Sequence, residues 1–248
     1  MKLTVAQLFT PEDGCAFIPL MWGGRKETPT EVLLRATATM SALTHAVPKE
    51  LAVNPFWMRI ADDGLGYSPA PSTVDGLQEL VRKENEKPTG PTTLQLLLFA
   101  DNTDAGLLAS FNLNAGAEQT HVGNSCTVTL EQGYPLGPVD AAEDLFRELI
   151  RIWQPETAIL CTDRTIADIG DLYDTYAGYL SWVSASATDV PTYLSSARAE
   201  HFGDGVLLSA RHWTVDGVRR MHQELLAESV PALTAIAAVQ VVPQFPPK

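Results

Sequence analysis

Apolar residues recur at two periods along this 248-residue chain, and the changes of period separate helices from strands. Leu33, Ala36, Met40, Leu43 and Val47 lie three or four apart, one face of a helix. Thr28-Pro29-Thr30-Glu31 starts it: Thr28 caps, Pro29 takes the first helical position, and Glu31 stands three residues after the cap. Pro48 stops it. A shorter stripe, Val74, Leu77, Leu80 and Val81, follows Ser72 and Asp75, which repeat the capping pattern. Leu145, Phe146, Leu149, Ile150 and Trp153 form a third stripe, opened by Asp140 with Glu143 and ended by Pro155. Val218, Met221 and Leu225 form a fourth after Thr214.

Between residues 94 and 131 the period falls to two. Leu107, Ala109, Phe111 and Leu113 alternate with Leu108, Ser110, Asn112 and Asn114, and Cys126, Val128 and Leu130 with Ser125, Thr127, Thr129 and Glu131. With the apolar run from Leu94 to Ala100 they predict an antiparallel meander with one wet face. Further strands are predicted over 15–22, with Pro19 implying an edge or a bulge, and over 56–61, 157–162, 178–185 and 205–210. In the strand over 178–185, Tyr179 and Ser181 take one face and Leu180 and Trp182 the other. Residues 236–242 are a candidate last strand, 191–201 fit a short helix or a loop, and 163–178 are acidic without a clear period.

These elements predict an α+β protein: a mixed, largely antiparallel sheet with amphipathic helices packed on it. Residues 134–138 read as the connector between two similar halves, 1–133 and 139–248, of one domain. With 45% hydrophobic and 19% charged residues the composition is that of a globular protein. No apolar run reaches the ~20 residues that cross a bilayer, and the N-terminus lacks the form of a signal peptide, so a cytoplasmic protein away from membranes is expected. Cys15, Cys126 and Cys161 form no CxxC pair and no disulfide framework.

The formal net charge of -13 argues against nucleic acid as a direct partner and fits docking on a basic protein. Aspartates and tyrosines are interleaved after residue 163, and Asp168, Asp171, Tyr173, Asp174 and Tyr176 are the candidate docking residues. Nothing in the chain has the spacing of catalytic chemistry. The five histidines make no metal-ligand pattern, Gly123 to Thr127 lacks the second glycine of a nucleophile elbow, and no phosphate-binding glycine loop is present. No catalytic residue, metal or cofactor is therefore expected. The alternative is a small-molecule enzyme with a cleft between the halves, which predicts a deep pocket with convergent histidines or carboxylates.

Trp22-Gly23, followed by Arg25 and Glu27 before a capped helix, resembles the start of the bacterial immunity protein 52 family. Phe56-Trp57 after the first helix is similar to the same family, as is FRELIRIWQP, which ends on Trp153 and Pro155. Gly178-Tyr179-Leu180-Ser181-Trp182 looks like its glycine-aromatic strand, and Phe202 to Val206 like its late strand entry. Met21 stands where the family has an aromatic residue. The resemblance covers about residues 16 to 228 and marks Trp22, Gly23, Arg25, Glu27, Trp57, Trp153, Gly178, Tyr179 and Trp182 as structural positions. It implies an antitoxin of a polymorphic toxin system. Such a protein binds a cognate secreted toxin domain, often a restriction-endonuclease-like nuclease, and neutralises it stoichiometrically.

Overall fold

A computed structural model describes residues 3–48, 54–62, 64–84, 91–100, 106–118, 123–169, 177–230 and 242–245. The described strands are β1 (Ala16–Trp22), β2 (Phe56–Ile60), β3 (Tyr67–Pro69), β4 (Thr92–Phe99), β5 (Leu107–Ala115), β6 (Asn124–Leu130), β7 (Thr157–Thr162), β8 (Leu180–Ser184), β9 (Ala197–His201) and β10 (Gly205–Ala210). They form one ten-stranded sheet in the order β3-β2-β4-β5-β6-β1-β7-β8-β10-β9. Every registered pair is antiparallel, and the sheet runs without a break across the 134–138 connector, because β1 pairs with both β6 and β7.

The helices are α1 (Val5–Leu8), α2 (Pro29–Ala46), α3 (Val74–Glu84), α4 (Val139–Trp153), α5 (Asp163–Ile169) and α6 (Val215–Ala227). Residues paired across an antiparallel ladder share a face of the sheet. The row Leu113, Cys126, Leu20, Ala158, Trp182 and Leu207 therefore lies on one face. Trp22 of that face stacks on Trp153 of α4, and Trp57 donates to Thr44 of α2, so α2 and α4 cover it. On the other face α5 packs against α6, and α6 reaches β10. Those two helices stand over the half of the sheet that starts at β7. The burial of nine large apolar side chains, four from α2 and five from α4, is the main source of stability for the first layer.

The α2 capping box forms as the sequence predicts: Thr28 Oγ1 accepts from Glu31 N–H, and Glu31 accepts from Thr28 N–H at 2.7 Å. Elsewhere the structure differs. Pro19 sits in a central strand rather than at an edge. The ladder tolerates it because the register with β7 skips Ile18 and Pro19, so the missing N–H breaks no registered pair on that side of β1. The cap of α3 is Thr73, whose Oγ1 lies 3.2 Å from Gly76 N–H, and not Ser72. Asp140 and Glu143 do not cap α4. Pro138 occupies the cap position, and Glu143 is buried in an ion pair with Arg198. The acidic segment opens with α5, and 191–201 contains the edge strand β9. The candidate last strand over 236–242 lies outside the described residues but for Val242.

Among the described residues no helix is long and apolar enough to cross a membrane. Cys126 and Cys161 are buried, and burial pushes both thiols up. The Cys15 thiol is pushed up to about 12, first by burial and then by Glu131, whose carboxylate accepts its hydrogen bond at 3.2 Å. At pH 8 the native protein should therefore react with a thiol-exchange reagent at least ~100-fold slower than free cysteine. Guanidinium should release all three thiols together; a fast native thiol would contradict this environment for Cys15.

Candidate functional site

Residues from the turn after β1 and from the end of α4 converge in a buried polar knot. Arg25 is 7% exposed, and its guanidinium reaches Glu27 at 3.0 Å, the Trp153 carbonyl at 3.1 Å and the Gln154 carbonyl at 3.2 Å. The same guanidinium lies 5.0 Å from the centre of the Trp22 ring. Arg35, two turns into α2, also pairs with Glu27 at 3.0 Å and donates to the Trp153 carbonyl at 3.1 Å. The last carbonyls of a helix have no intrahelical partners and carry the negative end of its dipole. Two arginines satisfy them here, while Gln154 turns the chain in the left-handed region at φ 46°.

The knot is tied on both sides of the sheet's centre. Glu156 is fully buried and donates its N–H to the Met21 carbonyl at 2.8 Å. Burial lowers the Arg25 pKa, while the carboxylates of Glu27 and Glu156 act in the opposite sense and favour the charged form. Trp153 donates to Thr39 Oγ1 at 2.9 Å, and its ring lies 5.5 Å from that of Trp22. Asn124, also buried, donates to the Gly23 and Ala117 carbonyls and accepts from Ala117 N–H. Its side chain thereby fixes the turn to the β5–β6 connection. No pattern in the sequence singles out Asn124, because its partners lie on two other loops.

The remaining structural positions pack the sheet. Trp57 is buried and meets Phe111 edge-on at 5.6 Å. Gly178 makes a close approach: a Cβ there would lie 2.4 Å from the Leu160 carbonyl oxygen. Tyr179 belongs to an aromatic cluster with Phe9 and Trp213, and Trp182 donates to the Phe202 carbonyl at 3.1 Å. Trp57, Gly178, Tyr179 and Trp182 are themselves buried, and these contacts hold the fold.

Of the candidate docking residues, Asp171, Tyr173, Asp174 and Tyr176 lie outside the described residues. Asp168 is exposed on α5, and its carboxylate accepts from Arg219 of α6 at 2.9 and 2.5 Å. Arg219 also pairs with Asp216, and both carboxylates raise its pKa. Asp168 thus ties α5 to α6 at the mouth of an open cleft of about 320 Å³, lined by Phe9, Asp13, Arg164 and Trp213 among others.

Another open depression, of about 370 Å³, lies beside α6. His212 and Arg220 line it with Glu224, which is held by Ser195 and by Ser196 Oγ at 2.6 Å. His45 Nδ1 lies 2.8 Å from the Ser41 carbonyl in its own helix, and burial lowers the pKa of His222. His121 lies outside the described residues. Among the described residues, no group of three metal-ligating side chains comes together.

The half of the second face that α5 and α6 leave open is built from β2 to β6. Its polar part carries Thr93, Gln95, Asn112, Ser125, Thr127 and Thr129, all exposed or half-buried. Its outer part carries Phe56, Ile60 and Tyr67, which are 38%, 43% and 55% exposed. Phe99 joins them, 5.9 Å from Phe56 and 5.2 Å from Tyr67. The wet face of the meander is the part of this surface that alternation predicts. The aromatic margin was hidden, because β3 is only three residues long and reads as loop.

The fold is that of an antiparallel α+β protein, with helices on both sides of a continuous sheet. No family pattern and no curated protein matches the sequence. Among solved structures it is similar to the Pseudomonas aeruginosa T6SS protein PA0821, at 11% sequence identity and a TM-score of 0.46. That match covers 79% of this chain and 64% of the other, so the chain spans less than two thirds of that protein's length.

Proposed function

We propose that this protein is an immunity protein of a polymorphic toxin system, which binds a secreted toxin domain one-to-one and blocks it without chemistry of its own. The observation that carries the reading is the knot. Trp22-Gly23-x-Arg25-x-Glu27 and the FRELIRIWQP run that ends on Trp153-Gln154-Pro155 are two short motifs, far apart in the sequence, that resemble the immunity protein 52 family. They meet as one charge-paired unit, with Arg25 on Glu27 and on the carbonyls of Trp153 and Gln154. Two motifs that form a single physical device lend each other weight that neither has alone.

The toxin this reading favours is a nuclease acting in the cytoplasm. A cleft that receives phosphates is cationic, and a partner of net charge -13 is drawn to it before contact. Asp168, Asp171 and Asp174 supply part of that steering, and Tyr173 and Tyr176 supply contact area beside them. The test is co-expression. Cells making the toxin domain encoded in the neighbouring reading frame should survive when this protein is made with it and die when it is not. Equal killing in both cases, with the protein present and folded, would sink the reading.

A further inference from the structure

We propose that the uncharged half-face of the sheet over β2 to β6 is the contact surface for a basic protein domain, a reading that rests on the toxin-binding function above. The chain carries 30 acidic and 17 basic residues, yet the side chains facing outward on this half-face are aromatic, aliphatic, hydroxyl or amide. Depletion of charge with enrichment of aromatic residues and methionine marks the centre of protein interfaces. Phe56, Met58, Ile60 and Tyr67 supply the apolar part, and Gln95 and Asn112 supply exposed amides on the neighbouring strands.

Three properties suit this face to docking. Its backbone is fixed by ladders on both sides of β2, β4 and β5, so little order has to be gained on binding. Its threonine and serine side chains lose far less rotamer freedom than lysine or glutamate would. Its extent is substantial: five strands at ~4.8 Å spacing and about six residues at ~3.4 Å give a projected area of roughly 450 Å², over half of the ~800 Å² per partner of a standard interface, with Leu97 and Leu108 already buried within it.

Charge selects the occupant. Two copies of this chain would each bring -13 to the contact, whereas a basic domain is attracted. The carboxylates that steer it lie beside the face rather than on it. Glu131 follows β6, and the exposed Asp163 opens α5, which packs over the adjoining half of the same side. The matching partner presents an uncharged patch with hydrogen-bonding groups, inside a cationic surround.

The test uses the full-length protein and a catalytically inactive form of the toxin domain encoded in the neighbouring reading frame. The variants are Gln95→Lys with Asn112→Lys, Tyr67→Ala, and Leu34→Ala on the outer side of α2 as a control. Each should melt within a few degrees of the wild type. The lysine pair should weaken binding by at least ~10-fold and Tyr67→Ala by a similar factor, with Leu34→Ala unchanged. If the wild type binds and both face variants bind equally well, the surface is wrong while the function stands. If the wild type fails to bind, the function falls and this surface with it. Sedimentation of the protein alone would also overturn the proposal, should it show a dimer that the lysine pair dissociates.

Discussion

Arg25→Ala is expected to lower the unfolding free energy by about 3–5 kcal/mol, the cost of breaking a buried ion pair from one side. The loss has a definite source. Glu27 and Glu156 stay buried with one cation fewer to offset them, and the Gln154 carbonyl loses the Arg25 donor while the Trp153 carbonyl keeps only Arg35. Arg35 still reaches Glu27, which keeps the effect from being larger. Arg25→Lys should recover only part of the loss, because one ammonium group cannot reproduce a planar fork that meets a carboxylate and two carbonyls at once. Urea unfolding followed by tryptophan fluorescence measures both. A change below about 1 kcal/mol for Arg25→Ala would mean that the knot opens to water.

Trp153→Ala is expected to cost a similar ~3–5 kcal/mol, through a different mechanism. Trp153 is fully buried between α2 and the sheet, and its removal leaves a cavity beside Trp22. Trp153→Phe separates the components. The ring contact with Trp22 largely survives, while the hydrogen bond from Nε1 to Thr39 Oγ1 is lost. Thr39 keeps a second bond to the Arg35 carbonyl at 3.0 Å, so no donor is stranded and about 0.5–1.5 kcal/mol should be lost. A phenylalanine variant as unstable as the alanine one would show that the indole's shape dominates, and not its ring contact.

Much of this architecture was legible in the sequence because it rests on short-range periodicity. The stripe from Leu33 to Val47 and that from Leu145 to Trp153 both point inward, and the cap at Thr28 forms with the predicted geometry. The alternation from Leu107 to Leu130 gives the meander and its wet face. Features set by distant partners were not legible. Pro19 reads as an edge residue until β7 is known to skip it. Glu143 stands three residues after Asp140 like a capping pair, but Arg198 claims its carboxylate from β9. The helix over 163–169 buries only Thr165 completely, too little to leave an apolar stripe.

The candidate site divides in the same way. Arg25 and Glu27 were visible as neighbours in a turn, whereas their partners at the end of α4 were not, since no periodicity links positions so far apart. The proposed docking face was half visible. Threonine and asparagine alternating with core residues announced a solvated side, but the aromatic margin depends on β3 folding back on β2. Asp168 shows the converse. A charge that reads as free for a partner is already shared with Arg219.

The central claim is that this protein acts as a stoichiometric inhibitor. The most direct measurement titrates it into the active nuclease domain of the proposed cognate toxin while following cleavage of a duplex DNA substrate. The account predicts a linear fall in rate that reaches zero at one equivalent, with an inhibition constant well below the enzyme concentration. A rate unchanged by an excess of folded protein would contradict it.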